Sequence, residues 1–363
     1  MQEPRTVWGI NLTHDGAICQ VTDGEVDWFL EEERVSRRKH DTSPTCVLDY
    51  AMTDVKNSQW VVTGLVPTPY QSIWDTYYTA FCVSYDKSHK RQFMGSPTAS
   101  STLPKIVSEE HHIFHANCAY YNSGFDTAVV VVVDGMGNPV KKDNQEPTCH
   151  EVESVYHVVD GEFQCIWKTV TPTFVDCDRP YPDLPYINQK AEMGIGMLHQ
   201  AMSVYYGFGE LGSGTLMGLA GYGKFDPFIK SFLKDPETID ESMFHRVQYG
   251  AKFIPYDYVK FDGNFEDLER YHEKFEPLCN LAWRIQRDFE IYMTHLLKRC
   301  VEHTKCNNLI LTGGCALNCV ANYEYRKHLP KDVNLYIEPV SSDAGIAMGA
   351  AYVAYENKFE NAE

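Results

Sequence analysis

The sequence predicts an α/β protein with two lobes, each built around a mixed sheet, and three observations support this prediction. The 363 residues, 44% of them hydrophobic, are enough for two separate cores. Strand-like runs joined by Asp-Gly turns occur in both halves, which predicts antiparallel hairpins in each. Each half also has a glycine loop directly after an apolar run, where backbone N–H groups can approach a phosphate closely.

The N-terminal residues predict two successive hairpins, because three β-prone runs are separated by the turns Thr13–Gly16 and Asp23-Gly24. The first turn carries His14, which is either a surface residue or a group that faces a ligand. The segment Glu31–His40 is either a solvated charged helix or loop, or it brings Lys39 or an arginine back to meet an anion. The three runs are Val7–Asn11, Ala17–Thr22 and Glu25–Leu30.

The centre of the chain combines a candidate metal pair with a candidate nucleotide strand. His111 and His115 are four residues apart, so on a helix both imidazoles project from one face and can close on one metal ion. The apolar run Ala128–Val133 predicts a strand buried on both faces, and the Asp134–Gly137 loop after it suits a phosphate or adenylate group. Taken alone, the histidine pair also fits a structural or surface role.

The region after this strand predicts another hairpin and then a glycine-rich segment. Strands are expected at Glu151–Asp160 and Phe163–Thr171, and a helix at Glu192–Phe208. Six glycines between Gly209 and Gly223 are expected to break any regular element, leaving a structured loop that lines a site or a flexible linker. The periodic segment Leu278–Thr304 predicts a long helix.

Two further site motifs lie near the C-terminus. The run Asn308–Thr312 predicts a buried strand, and the Gly313–Asn318 loop followed by a helix-like segment forms a ready site for phosphate or adenosine. Asp343, in the loop before the last helix, is the best candidate for a third metal ligand, although it also fits a helix N-cap. The candidate adenylate contacts are therefore Asp134, Gly135, Gly137, Gly313, Gly314 and Asn318.

These motifs favour the duplicated actin-like or sugar-kinase-like (ASKHA) architecture with mixed central sheets. We expect a first lobe over residues 1–130, with the N-terminal hairpin and the metal-binding helix. The second lobe then covers residues 131–363, with the glycine loops, an insertion at 225–277 and the C-terminal nucleotide and metal motifs.

Composition narrows the functional classes. The net charge of −18 disfavours general binding to nucleic acid, because duplex binding depends on lysine and arginine side chains that neutralise phosphates. No stretch of eighteen apolar residues occurs and Met1–Val7 is polar, so neither a membrane span nor secretion is expected. The twelve cysteines include no C-x-x-C pair, which is typical of reduced thiols in a cytoplasmic protein.

Several motifs in order resemble the O-carbamoyltransferase family, which includes the nodulation-factor, aminoglycoside and ansamycin carbamoyltransferases. They are GINLTHDGA, EEERVSRRKHD, HHIFHA, FDTAVVVVVDGMG, LMGLAGYG, LTGGCALNCVAN and EPVSSDAGIAMGAA, and together they cover nearly the whole chain. The chain also resembles, more distantly, the transferases that build threonylcarbamoyladenosine in transfer RNA.

The resemblance implies that carbamoyl-adenylate, made from carbamoyl phosphate and ATP, binds between two lobes and passes its carbamoyl group to an acceptor hydroxyl. It implies that His111, His115 and Asp343 hold iron or zinc beside the nucleotide phosphate. It also implies that His14 acts as general base and that Lys39 holds the phosphate. The acceptor is expected to be a natural-product sugar or a hydroxymethylated pyrimidine in DNA.

Two departures from the family qualify this expectation. Longer members carry a C-terminal domain that makes carbamoyl-adenylate, so either a separate protein supplies this intermediate or this chain uses carbamoyl phosphate with ATP by itself. The family usually has a lysine where Thr215 stands, which puts phosphate contacts from that loop in doubt. The alternatives are a threonylcarbamoyl-type transferase, a kinase or ATPase of the same fold, and a nucleotide-binding scaffold; a kinase usually has an acid where Asn11 stands.

Overall fold

The computed structural model describes residues 5–42, 47, 59–63, 105–107, 111–140, 149–172, 187–191, 193–246, 253–255 and 272–356. The strands are β1 (Thr6–Asn11), β2 (Ala17–Thr22), β3 (Glu25–Glu31), β4 (Gln59–Thr63), β5 (Lys105–Val107), β6 (Thr127–Val133), β7 (Pro139–Val140), β8 (Cys149–Val159), β9 (Glu162–Pro172), β10 (Ile187–Lys190), β11 (Leu233–Asp235), β12 (Thr238–Ile239), β13 (Phe244–Arg246), β14 (Phe253–Pro255), β15 (Asn308–Thr312) and β16 (Asn334–Ile337). The α-helices are α1 (Glu32–Ser36), α2 (His111–Ser123), α3 (Ile195–Tyr205), α4 (Ser213–Ala220), α5 (His272–Thr304), α6 (Cys319–His328) and α7 (Gly345–Tyr355).

The chain divides into two compact units. The first comprises Met1–Gly124 together with Glu338–Glu363, and the second comprises Phe125–Ile337. The expected boundary between residues 130 and 131 places the C-terminal segment in the second lobe. In the structure, Glu338–Glu363 belongs to the first unit instead. The physical reason is that α7 packs on α2 and on strands β1 and β2, which spacing along the sequence does not encode.

The first unit is built on a sheet with the strand order β3-β2-β1-β4-β5. Strand β1 pairs antiparallel with β2 and parallel with β4; β2 pairs antiparallel with β3, and β4 parallel with β5. The small residues of α7 pack closely against this sheet, where Ala347 and Ala351 are fully buried beside Cys19. This packing brings the start of α7 to the C-terminal end of β1.

The second unit repeats the same topology. Its main sheet has the order β10-β9-β8-β6-β15-β16, with β7 paired to β8. Strand β6 pairs antiparallel with β8 and parallel with β15; β8 pairs antiparallel with β9, and β15 parallel with β16. Strands β9-β8-β6-β15-β16 therefore repeat the order and directions of β3-β2-β1-β4-β5, and the predicted duplicated actin-like architecture is confirmed.

The glycine-rich segment of the second unit differs from its prediction. Residues Ser213–Ala220 form α4 despite the glycines around them. The helix packs on α5, and its residues Leu216 and Ala220 are buried in the core of the unit. Tertiary burial of one face thus outweighs the low helix propensity of glycine.

The region predicted as an insertion, residues 225–277, contains two small antiparallel pairs, β11 with β12 and β13 with β14. Residues 247–252 and 256–271 of this insertion lie outside the described residues. Among the helices that the structure describes, none combines the length and the apolar character needed to cross a bilayer.

Candidate functional site

The two histidines predicted to bind metal lie on the first turns of α2 and face each other. His111 and His115 occupy positions one helical turn apart, and their Nε2 atoms are 3.1 Å apart. Both side chains are buried, with exposed fractions of 3% and 0%. Two ring nitrogens held this close inside a protein are satisfied by a shared proton or by a shared cation.

Asp343 joins this pair from the loop before α7. Its Oδ1 atom lies 3.4 Å from His111 Nε2 and 3.6 Å from His115 Nε2, and its Oδ2 accepts a hydrogen bond of 2.9 Å from Thr13 Oγ1. Burial by itself would raise the pKa of Asp343, but the neighbouring charges of His111 and His14 hold that pKa well below its usual range. The carboxylate does not cap α7, whose N-cap residue is Ala344.

The chemistry of this donor set fits a divalent metal. Two imidazole nitrogens and one carboxylate oxygen are a common ligand set for zinc and for non-haem iron. Metal–ligand bonds of about 2.0–2.2 Å with tetrahedral angles place neighbouring ligand atoms about 3.3–3.6 Å apart. The separations of 3.4 and 3.6 Å from Asp343 Oδ1 to His111 and His115 fall in this range, and the separation of 3.1 Å between the two histidine nitrogens is slightly shorter.

His14 lies at the edge of the same cluster. It sits in the turn between β1 and β2, and its Nε2 is 3.4 Å from Asp343 Oδ2. Its side chain is 43% exposed, in contrast to the buried side chains of His111 and His115. A half-exposed imidazole beside a buried donor cluster can exchange a proton with a bound molecule.

Lys39, the other residue placed at the reaction centre by resemblance, lies on the segment that follows α1. Its side chain is exposed, and it forms no hydrogen bond or ion pair with the residues that the structure describes. The structure therefore brings His14, His111, His115 and Asp343 together but leaves Lys39 outside that cluster.

Asn11 stands where a kinase usually has an acidic residue, and in the structure its side-chain amide connects two loops of the site. At the end of β1 its Nδ2 donates to the backbone oxygens of Asp343, at 2.9 Å, and Asp15, at 3.1 Å. Its Oδ1 accepts a hydrogen bond from the backbone N–H of Thr13 at 3.0 Å. The amide thus ties the His14 turn to the Asp343 loop, a function that only the three-dimensional fold reveals.

In the second unit, the two predicted glycine loops lie side by side at the ends of the parallel strands β6 and β15. Gly313 has a φ of +87°, and a Cβ there would collide with the backbone of Val133. A Cβ on Gly314 would lie 2.8 Å from Asp134 Oδ1. Asp134 Oδ1 in turn accepts a hydrogen bond of 2.7 Å from the N–H of Gly135. The loop after β6 is thus packed directly against the Gly313-Gly314 pair.

The start of α3 adds a feature that the sequence did not reveal. Gly196, in its first turn, lies against the backbone of Asp134 and Gly135. The N-terminus of this eleven-residue helix therefore lies beside the loop after β6. Free N–H groups and the helix dipole favour an anion at such a position. The composition of this helix start, Gly194 to Gly196, is the signal that could have identified it.

Neighbouring groups hold both loops in place. The carbonyl of Gly137 accepts a hydrogen bond of 3.1 Å from the ring of His150, and the N–H of Gly137 donates to Glu151 O at 2.8 Å. Burial lowers the pKa of His150, so its neutral form is favoured in this position. Asn318 accepts from the N–H of Ala321 and exchanges two hydrogen bonds, of 2.9 and 3.1 Å, with the amide of Gln286. Its side chain thus positions the loop and caps α6.

Comparison with known proteins places these features in a family. The uncharacterised protein sll1178 of Synechocystis sp. is 26% identical over 96% of this chain and 56% of its own length. The nodulation protein NolNO of Sinorhizobium fredii is 25% identical over 93% of this chain and 46% of its own length. The chain therefore spans about half the length of these curated relatives.

Among solved structures, HypF of T. kodakarensis superposes with a TM-score of 0.48 and 12% identity, over 98% of this chain and 48% of HypF. The family model described as "Carbamoyltransferase N-terminus" matches residues 77–352. Because this match covers well over half of the 363 residues, the chain belongs to the carbamoyltransferase family.

Proposed function

We propose that this chain transfers a carbamoyl group from carbamoyl-adenylate to a hydroxyl group of an acceptor. The observation that carries the proposal is the convergence of His111, His115 and Asp343 in a buried cluster with His14 at its edge. Membership of the carbamoyltransferase family supports it. Carbamoyl phosphate and ATP are the proposed precursors of the donor.

We assign His111, His115 and Asp343 as the ligands of a divalent metal, iron or zinc. Such an ion supplies positive charge that orients the donor phosphate and stabilises the negative charge developing on it. Thr13 and Asn11 fix the carboxylate and the backbone of Asp343, so the ligands are preorganised by this chain's own hydrogen bonds.

His14 is the proposed general base. Its Nε2 accepts the proton of the acceptor hydroxyl while the hydroxyl oxygen forms a bond to the carbamoyl carbon. The bond between that carbon and the phosphate-bound oxygen breaks, and AMP leaves with the electron pair on its phosphate. Lys39, exposed on the same unit, is proposed to approach the phosphate when the donor binds.

The second unit is proposed to hold the adenosine part of the donor. Asp134, Gly135 and Gly137 end one parallel strand, and Gly313, Gly314 and Asn318 follow the other. The packing of these loops against each other and against the start of α3 supports a phosphate or adenosine site.

The proposed acceptors are hydroxyl groups of natural-product sugars or of hydroxymethylated pyrimidines in DNA. The net charge of −18 favours an acceptor that does not require a large basic surface. A separate protein that forms carbamoyl-adenylate is a proposed partner.

The test is to incubate the purified, metal-loaded protein with carbamoyl phosphate, ATP and a panel of hydroxylated sugars and hydroxymethylcytosine DNA. Mass spectrometry is expected to detect a carbamoyl group on an acceptor oxygen, with or without an added carbamoyl-adenylate-forming protein. Asp27→Asn, an exposed change on β3, serves as the active control. Transfer only to amines, or transfer of a phosphoryl group instead, contradicts the proposal.

A further inference from the structure

One carboxylate in the first unit binds two histidines. Asp15 Oδ2 lies 3.2 Å from His14 Nδ1, and Asp15 Oδ1 lies 2.6 Å from His40 Nδ1. The Asp15 side chain is only 11% exposed, whereas those of His14 and His40 are 43% and 27% exposed. Burial alone would raise the pKa of Asp15, but these two hydrogen bonds hold that pKa below its ordinary value. The pair of contacts therefore joins an ionised carboxylate to both rings.

Both residues at the shorter contact have an unfavourable backbone. Asp15 has a φ of +61° and His40 a φ of +57°, in the left-handed region that residues with a Cβ rarely adopt. Left-handed backbone at such residues persists only where surrounding contacts impose it, and it concentrates at functional sites. Here both residues meet in a single hydrogen bond.

Backbone hydrogen bonds hold the Asp15 turn and the His40 segment in this conformation. The N–H of His40 donates to Glu33 Oε2 at 3.0 Å, on helix α1. The N–H of Gly16 donates to Asp41 O at 2.7 Å, and Gly16 O accepts from the N–H of Glu32 at 2.7 Å. The turn that carries Asp15 is therefore bonded to the segment that carries His40 at Asp41, and both are also bonded to helix α1.

We propose that Asp15 and His40 are positioning residues for His14. Asp15 accepts the Nδ1 proton of His14, which leaves Nε2, on the Asp343 side, as the nitrogen that takes up a proton. His40 holds the second carboxylate oxygen and so fixes the orientation of Asp15. A base oriented by a third group in this way is a general device of proton-transfer sites. The effect on transfer rests on the proposed function, whereas the effect on the His14 ring does not.

The first test concerns the His14 ring and needs no substrate. In protein with ¹⁵N-labelled histidine, the His14 signals are assigned by their loss in His14→Gln, and their shifts tell which ring nitrogen carries the proton. Asp15→Asn retains the shape and tolerates the left-handed backbone but removes the carboxylate. We expect it to shift His14 away from the Nδ1-protonated form, while the exposed Asp27→Asn leaves the shifts unchanged. Unchanged His14 signals in Asp15→Asn overturn the proposal.

The second test compares two substitutions at His40. Asn places a donor where His40 Nδ1 lies, and Gly removes the donor, and both tolerate a positive φ. We expect Asp15→Asn to lower kcat about 100-fold and His40→Gly about tenfold, with the donor KM little changed and His40→Asn retaining most activity.

Metal content and melting temperature, measured on the same samples, separate positioning from structural damage. Equal loss in His40→Asn and His40→Gly, or loss that follows the metal content or the melting temperature, overturns the proposal. Because the ring signals are read without donor or acceptor, a failure to transfer carbamoyl groups is distinguishable from a failure of the positioning role.

Discussion

Gly349 on α7 lies against the backbone carbonyl of Phe114 on α2, so closely that a Cβ at position 349 would collide with it. The contact joins the helix that carries His111 and His115 to the helix that follows Asp343. Replacing Gly349 with alanine should push these helices apart and lower the free energy of unfolding by about 2–3 kcal/mol. The metal affinity should fall as well, because the donor atoms come from both elements.

The matched control is Gly218→Ala on α4, where no atom lies within 4 Å of the new Cβ. There the methyl group should be neutral or stabilise the protein by up to about 1 kcal/mol, since alanine favours helix over glycine. Urea unfolding of both variants makes the comparison. If both substitutions have the same effect, close approach at Gly349 does not determine the packing of α7.

Removing one histidine of the pair should abolish the proposed metal binding. His111→Ala leaves a single imidazole and Asp343, and loss of one of three protein ligands is expected to reduce bound metal from about one ion per chain to nearly none. Elemental analysis after dialysis measures this, together with carbamoyl transfer. His295→Ala, a half-exposed histidine on α5, is the control. An active variant without metal would show that the ligand assignment is mistaken.

Local signals were sufficient for many elements of the fold. The Asp23-Gly24 and Asp160-Gly161 turns predicted the β2–β3 and β8–β9 hairpins, because a tight turn fixes which strands pair. The strand β6 followed from its uniform apolar run, which only a strand covered on both faces tolerates. Periodicity likewise predicted α5, although the helix begins earlier, at His272.

The candidate site was predictable only in part. Spacing alone placed His111 and His115 on one helical face, since the two residues are one turn apart. Thr13 and Asp343 are 330 residues apart in sequence, and their hydrogen bond depends on the packing of α7 beside β1. The left-handed backbone of His40 has no signal in a run of charged residues. Contacts of this kind are set by tertiary structure, and no local pattern encodes them.

The amide pair of Gln286 and Asn318 should affect nucleotide binding. Gln286→Ala removes the two hydrogen bonds that hold the Asn318 side chain but leaves the glycine loop itself unchanged. We expect an ATP analogue to bind about fivefold more weakly, which corresponds to about 1 kcal/mol. Isothermal titration calorimetry measures the change, with the exposed Asn334→Ala as control. Unchanged affinity in Gln286→Ala would mean that the pair does not support the loop.

The buried carboxyl group of Glu153 should make stability depend on pH. Glu153 is fully buried on β8, where it accepts hydrogen bonds from the Tyr292 hydroxyl at 2.6 Å and from Thr169 Oγ1 at 2.7 Å. Burial raises its pKa, and these hydrogen bonds and the charge of Arg299 offset the shift only in part. A raised pKa in the folded state means that stability is complete below the unfolded pKa of about 4.3 and declines as the pH rises through the folded value.

Glu153→Gln keeps the shape and removes this ionisation. At low pH the variant should match the natural protein, and above the folded pKa it should be more stable, by about 1.4 kcal/mol for each unit by which folding raises the pKa. Urea unfolding between pH 4.5 and 8 measures the difference, with Glu162→Gln, exposed at the start of β9, as the control for losing a surface carboxylate. A difference that stays constant with pH would mean that folding does not shift the pKa of Glu153. A variant that loses stability relative to the natural protein as the pH rises would mean that the hydrogen bonds favour the charged form of Glu153.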